Sequence, residues 1–323
     1  MTGLRLLSVV AISALVAACG PTSADTRLTL AHSLEPSHTV HKAMMFMAQR
    51  LEMLSGGTMH IDIYPSGQLG SEREAIELLQ IGSLSMAKVS ASPLEGFVPA
   101  MKIFNLPYLF RDHEHYLRVL DSEIGRELLL APVDARLKGL GYYDAGSRSF
   151  YTTKRQVTAP DDLEGLKIRV QESPTAMQMV AALGGSPTPI TYGELYTALQ
   201  QGVVDGAENN APSFYTSGHY EVARYFTLDE HTAVPDLLLI STQVWDSLNE
   251  QQRRWLQQAV DESVAYQREL WQHDTEAALE AVAADGVEIL HPDKAQFEAR
   301  VQAMLAEYEA SDLGPLIRRI QDL

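Results

Sequence analysis

The chain has 323 residues, with 25 lysines and arginines against 42 aspartates and glutamates, a formal charge of −17, and one cysteine. That charge repels nucleic acid and anionic lipid, and a lone cysteine excludes an intrachain disulfide. Any anion this chain binds must sit in a local cationic pocket, with remote carboxylates screened beyond about 8 Å.

Residues 1–24 read as an export leader. Arg5 supplies a positive start, and an apolar, small-residue run from Leu6 to Ala18 follows, too short to span a bilayer. VAAC ends at Cys19 and resembles a lipobox, in which Cys19 becomes the acylated N-terminus; cleavage near Ala24 is the alternative. Both send the mature chain out of the cytoplasm. The roughly 300 residues left suffice for two domains, each with its own core.

RLTLA, residues 27 to 31, predicts a first strand, and His38 to Leu54 a helix. Val40, Met44, Met47, Leu51 and Leu54 share one helical face, Gly56-Gly57 stops it, and Met44, Met45 and Met47 read as core. MHIDIYP alternates as a second strand, SEREAIELLQIG is helical to Gly82, and SLSMAKVS follows as a third strand. This β-α-β-α-β order predicts a largely parallel sheet with right-handed crossovers. Downstream, TALQQG (197 to 202) answers to ELLQIG (77 to 82) and VVDGAENN (203 to 210) to SLSMAKVS (83 to 90), suggesting a second lobe of the same make. Ser247 with Glu250 has the form of a capping box. From there a helical pattern runs to Asp285-Gly286, roughly 50 to 55 Å at 1.5 Å per residue, long enough to bridge two lobes unless it kinks.

No GxSxG elbow, Walker loop or GxGxxG fingerprint is present, and no catalytic thiol survives leader removal. His113-Glu114-His115 and the His38/His41 pair lack zinc spacing and a third ligand, and DGAENN lacks the acidic ladder of a calcium loop. Neither metal, cofactor nor catalysis is expected. DDLEGLKIRVQES, residues 161 to 173, is more informative. Leu166, Ile168 and Val170 alternate with Lys167 and Arg169, so one face of a strand is apolar and the other cationic. Arg169 is either a solvated edge-strand cation or a carboxylate receptor. GSRSFYT sets Arg148 among small and aromatic residues, and AENN offers amides at a strand end. A guanidinium fork grips a carboxylate through two parallel hydrogen bonds, which lysine cannot imitate. With amides and hydroxyls nearby, the set predicts a site for a small hydroxylated organic acid.

PDDLEGLKIRV, LGGSPTPITYGELYTALQQGVVDGAENN, AHSLEPSH, IYPSGQLGSEREAIELLQIGSL and NLPYLFRDHEH together resemble the solute-binding proteins of tripartite ATP-independent periplasmic (TRAP) transporters, over nearly the whole mature chain. The resemblance implies an α/β, two-lobed periplasmic-binding-protein-like fold with a long helix bridging both lobes. Residues 25–146 plus 235–274 would form lobe I, and 147–234 plus 275–323 lobe II. It implies Arg169 as carboxylate clamp, with Arg148 and Asn209 beside it. Glu72 would accept ligand hydroxyls, Ser90 and Lys88 would lie at the end of the third strand, and His32 and His38 would flank the cleft. It further implies a periplasmic monomer, tethered if Cys19 is acylated, that delivers its ligand to small and large membrane subunits and has no nucleic-acid partner. AGSRSFYT and LDEHTAVPD are similar to the hexuronate branch, with D-glucuronate foremost. A C4-dicarboxylate ligand or a ligand-sensing role is the alternative.

Overall fold

A computed structural model describes residues 25–323; the leader and Cys19 lie outside them. Among the described residues two sheets form. The first joins β1 (Thr26–Ala31), β2 (Met59–Tyr64), β3 (Met86–Ser90) and β4 (Leu137–Tyr143). The second joins β5 (Arg148–Thr152), β6 (Lys167–Val170), β7 (Ser186–Pro189), β8 (Gly206–Asn209) and β9 (Tyr225–Thr232). The chain then returns β10 (Asp236–Ser241) to the first sheet and later adds β11 (Glu288–Leu290) to the second, giving the orders β2-β1-β3-β10-β4 and β11-β9-β5-β8-β6-β7. The molecule is therefore a two-lobed α/β protein.

The expected parallel arrangement holds with one exception per sheet. β10 runs antiparallel to β3 and β4, and β5 antiparallel to β8 and β9. Both exceptions have one cause. The links 144–147 and 233–235 carry the chain from one sheet to the other and are far too short for a crossover helix. β5 and β10 must therefore start where β4 and β9 end, at the gap between the lobes, and run away from it. The consequence is functional: Arg148 and Asp236, the first residues of these strands, stand beside Ser90 and Asn209, the last residues of β3 and β8.

Helix Thr39–Leu54 packs Val40, Ala43, Met44, Met47 and Leu51 into the core of the first lobe. His38 stands just outside it as N-cap, its side chain accepting from Val40 N, and Met45 faces solvent at 42% exposure rather than joining the core. The reason is angular: Met45 follows Met44 by 100° and falls off the stripe that Val40, Met44, Met47 and Leu51 share. The long helix spans Glu250–Ala284, 35 residues without interruption. Its capping box is Asn249 with Gln252, not Ser247 with Glu250; Ser247 closes the preceding helix Thr242–Ser247 by donating to Val244 O. Leu256, Ala259, Val260 and Trp271 pack into the first lobe, while Ala278 and Val282 pack into the core of the second. One continuous helix thus bridges both lobes.

Candidate functional site

β8 lies between β5 and β6, so Arg148 and Arg169 reach the interlobe gap from either side of it. Arg148 is fully engaged. Its Nη2 donates to Glu208 Oε1 at 2.8 Å and to Glu208 O at 2.9 Å, its Nη1 to Asn209 Oδ1 at 3.0 Å, and its Nε to Glu208 Oε2. His231 completes the cluster, with Nδ1 on Asp229 Oδ2 at 2.8 Å and Nε2 at 3.6 Å from Glu208 Oε2. Burial opposes charge on Glu208, but Arg148 and His231 hold its pKa down to about 2. Burial likewise opposes charge on His231, and the Asp229 and Glu208 carboxylates outweigh it, raising the pKa to about 9.

Arg169 is the opposite case. It is 2% exposed and sits on an interior strand, which removes the solvated edge-strand reading. Its Nε donates to Ile190 O at 2.7 Å, and Nη1 has no hydrogen-bond partner among the described residues. Burial lowers its pKa, and no carboxylate pairs with it among the described residues. A desolvated guanidinium with a free fork is costly unless an anion arrives.

The facing lobe supplies a second cluster. Lys88 Nζ lies 2.9 Å from Glu72 Oε1 and 3.1 Å from Asp236 Oδ1. Glu72 Oε2 accepts from Ser90 N at 3.2 Å. Glu72 opens helix Glu72–Gln80, whose N-cap Ser71 shares a capping box with Glu74, so the carboxylate also faces the positive helix end. Burial penalises the charge on Lys88, yet Asp236 and Glu72 raise its pKa; burial and then Glu72 push Asp236 up against the pull of Lys88.

Two adjoining cavities of ≈ 30 Å³ each occupy the gap. Glu72, Lys88, Ser90, Arg148, Asn209 and Asp236 line one; Arg169 lines the other, and Glu72, Gln171 and Tyr192 line both. Ser90 Oγ donates across the gap to Gln171 Oε1 at 3.2 Å, so the lobes are closed upon each other. Of the eight residues expected here, six line the cavities, whereas His32 and His38 line neither. His32 Nδ1 accepts from Leu34 N at 3.1 Å and Nε2 meets His41 Nδ1 at 3.0 Å. His38 Nδ1 accepts from Val40 N, so its Nε2 carries the proton given to Ser213 Oγ at 3.1 Å. Both rings are spent on local structure. The sequence reading passed over Asp236, Gln171, Tyr192 and Glu208. Gln171 had a signal, lying two residues beyond Arg169 and hence on the same side of the extended chain; Asp236 had another, as a lone acid heading the apolar run LLLI.

Among the described residues no group of three or more His, Cys, Asp and Glu could hold a metal ion. Two α/β lobes, joined by short links and a bridging helix and closed over a polar gap that holds, among the described residues, an unpaired cation, define a two-lobed solute-binding protein. Comparison with known proteins narrows the class. Residues 30–312 match the family described as bacterial extracellular solute-binding protein, family 7, and the chain belongs to that family, the solute-binding components of TRAP transporters. Its members bind transported solutes and are not enzymes. A TRAP periplasmic solute-binding protein of Xanthobacter autotrophicus, solved with β-D-galacturonate, is 38% identical with a TM-score of 0.88, covering 91% of this chain and 99% of that one. One from Pseudomonas putida, solved with D-glucuronate, is 35% identical with a TM-score of 0.89, covering 92% and 97%. The C4-dicarboxylate-binding periplasmic protein DctP of Rhodobacter capsulatus is 30% identical, covering 86% of this chain and 84% of its own length.

Proposed function

We propose that this protein captures a hexuronate, D-glucuronate foremost, in the periplasm and delivers it to the small and large membrane subunits of a TRAP transporter. The unpaired fork of Arg169 carries this reading: it takes the ligand carboxylate, while Arg148, neutralised by Glu208 and bonded to Asn209, holds the end of β8 in place at the cavity wall. Glu72, Ser90, Asn209 and Lys88 serve the hydroxyls. Residues 25–146 plus 235–274 act as one lobe and 147–234 plus 275–323 as the other, with Arg169 and Glu72 on opposite sides, so ligand favours the closed arrangement.

Charge separates a uronate from a dicarboxylate. Lys88 stands against two carboxylates, Glu72 and Asp236, leaving one negative charge where the far end of the ligand lies. A polyol welcomes those acceptors, whereas a second carboxylate is repelled by them. The relatives solved with galacturonate and glucuronate support this choice over the dicarboxylate named for the Rhodobacter relative. Calorimetric titration should give D-glucuronate an affinity near the micromolar range, about 8 kcal/mol, and succinate one roughly 100-fold weaker. Succinate binding as tightly as glucuronate would reverse the assignment.

A further inference from the structure

The lobes touch beside the cavities as well as across them. Ser90 Oγ meets Gln171 Oε1 at 3.2 Å where the cavities lie. A little further along each chain segment, Glu95 closes the short helix Ala91–Leu94, and Ser173 and Thr175 stand at the start of helix Pro174–Ala182. Glu95 lines neither cavity. Its carboxylate reaches the facing lobe instead: Oε1 accepts from Thr175 Oγ1 at 2.8 Å and from Thr175 N at 3.3 Å, and Oε2 accepts from Ser173 Oγ. Asn105 Nδ2, 3.3 Å from Oε2, is a donor from its own lobe.

This contact has to break when the cleft opens. The links between the sheets join β4 to β5 and β9 to β10, so β3 and β6 are not the hinge strands. Glu95 follows Ser90 at the end of β3, and Ser173 and Thr175 follow Gln171 at the end of β6. A movement that draws Ser90 away from Gln171 therefore draws Glu95 away from Ser173 and Thr175.

Glu95 is 3% exposed and its two interlobe partners are buried. Its partners among the described residues are all neutral donors, and burying a carboxylate without a cation is costly. The hydrogen bonds offset that cost, together with the positive end of helix Pro174–Ala182, whose own first turn contains no acid. Most of this compensation comes from the other lobe, and water replaces it when the lobes part. Two large opposed terms suit a contact that must both form and release.

Resting on the capture of a solute by lobe closure proposed above, we propose that Glu95 is a latch that sets affinity: it holds the closed arrangement through Ser173 and Thr175, touches no ligand, and tightens the binding of every solute that closes the lobes by one common factor. It is a positioning residue, acting on the ligand through the lobe arrangement alone.

The test is calorimetric titration of D-glucuronate, D-galacturonate and succinate into the parent, Thr175→Val, Glu95→Gln and the double variant, with urea unfolding of each protein without ligand. Thr175→Val removes a hydroxyl that donates to Glu95 and keeps the side chain's shape; Tyr308 OH, 3.2 Å from that hydroxyl, retains its bond to Gln178 Oε1. The variant should weaken every ligand that binds the parent by the same factor, about tenfold. Its unliganded urea midpoint should match the parent's, because in the open arrangement water satisfies Glu95. Glu95→Gln should also weaken binding, and the double variant should fall well short of the product of the two losses, since both changes remove one contact. Should Thr175→Val fail to fold, Glu95→Gln carries the test. Unchanged affinities in the folded variants would overturn the proposal. So would a fall in unliganded stability with affinity kept, which marks a contact that never opens, or losses that differ several-fold between ligands. A parent that binds succinate alone defeats the uronate reading but not the latch, whose loss is read on whichever ligand binds.

Discussion

Arg148 and Arg169 flank one strand, β8, and divide its two roles between them. Arg148 spends its guanidinium on Glu208 and Asn209 of that strand, whereas Arg169, among the described residues, makes a single bond, to Ile190 O. The first arginine is part of the scaffold and the second is held ready for a ligand.

Arg148→Met should therefore damage the fold itself. It would strand Glu208, 2% exposed, with only His231 near it, and breaking a buried pair by removing one partner costs about 3–5 kcal/mol. Urea unfolding without ligand should show a loss of that order, and Arg148→Met/Glu208→Met should recover much of it. A variant as stable as the parent would mean that the ion pair contributes nothing.

Lys88→Met should make binding depend on pH. Without the ammonium, Glu72 and Asp236 face each other, and like charges at that range force one carboxyl to hold a proton. Burial already pushes Asp236 in that direction. D-glucuronate affinity should fall at least about tenfold at pH 8 and partly recover at pH 5, where the shared proton returns. Equal losses at both values would remove this cluster from hydroxyl recognition.

Stability should peak near neutrality. Burial lowers the pKa of His32 to about 2 and, as the first cause for each, those of His38 and His219 to about 3. Below about pH 6.5 the unfolded chain takes protons these rings refuse, so stability falls as pH drops, by up to about 1.4 kcal/mol per unit for each ring. His231 works in the other direction: its pKa is raised to about 9, so its contribution is complete below about 6.5 and disappears as pH climbs through 9. Urea midpoints from pH 5 to 9 should trace a maximum near 6.5 to 7, with a shallower acid side in His38→Gln. A flat profile would contradict the burial of these rings.

What the sequence revealed depended on how far apart the partners lie along the chain. Val40, Met44, Met47 and Leu51 sit within a few turns of one helix, so periodicity alone found their buried face. Alternation with Ile168 and Val170 drew attention to Arg169 but left it open between an edge-strand cation and a carboxylate receptor, and the family resemblance chose between them. Glu208, the ion-pair partner of Arg148, was not legible, since that contact exists only because β5 runs antiparallel to β8. Asp236 was hidden for the same reason: it reaches Lys88 after an excursion of 148 residues. His32 and His38 mark the other limit. The family resemblance set both beside the cleft, and a step of one residue puts Ser33 at the cavity while His32 meets His41.

The most direct test is calorimetric titration of D-glucuronate into the parent and Arg169→Lys, with urea unfolding of both. Lysine keeps a charge but not the fork, so affinity should fall about 100-fold while stability holds or rises, because Arg169 has no ion pair to lose among the described residues. Parent-like affinity in Arg169→Lys would mean that the carboxylate is gripped elsewhere, and the account of this cleft would fail.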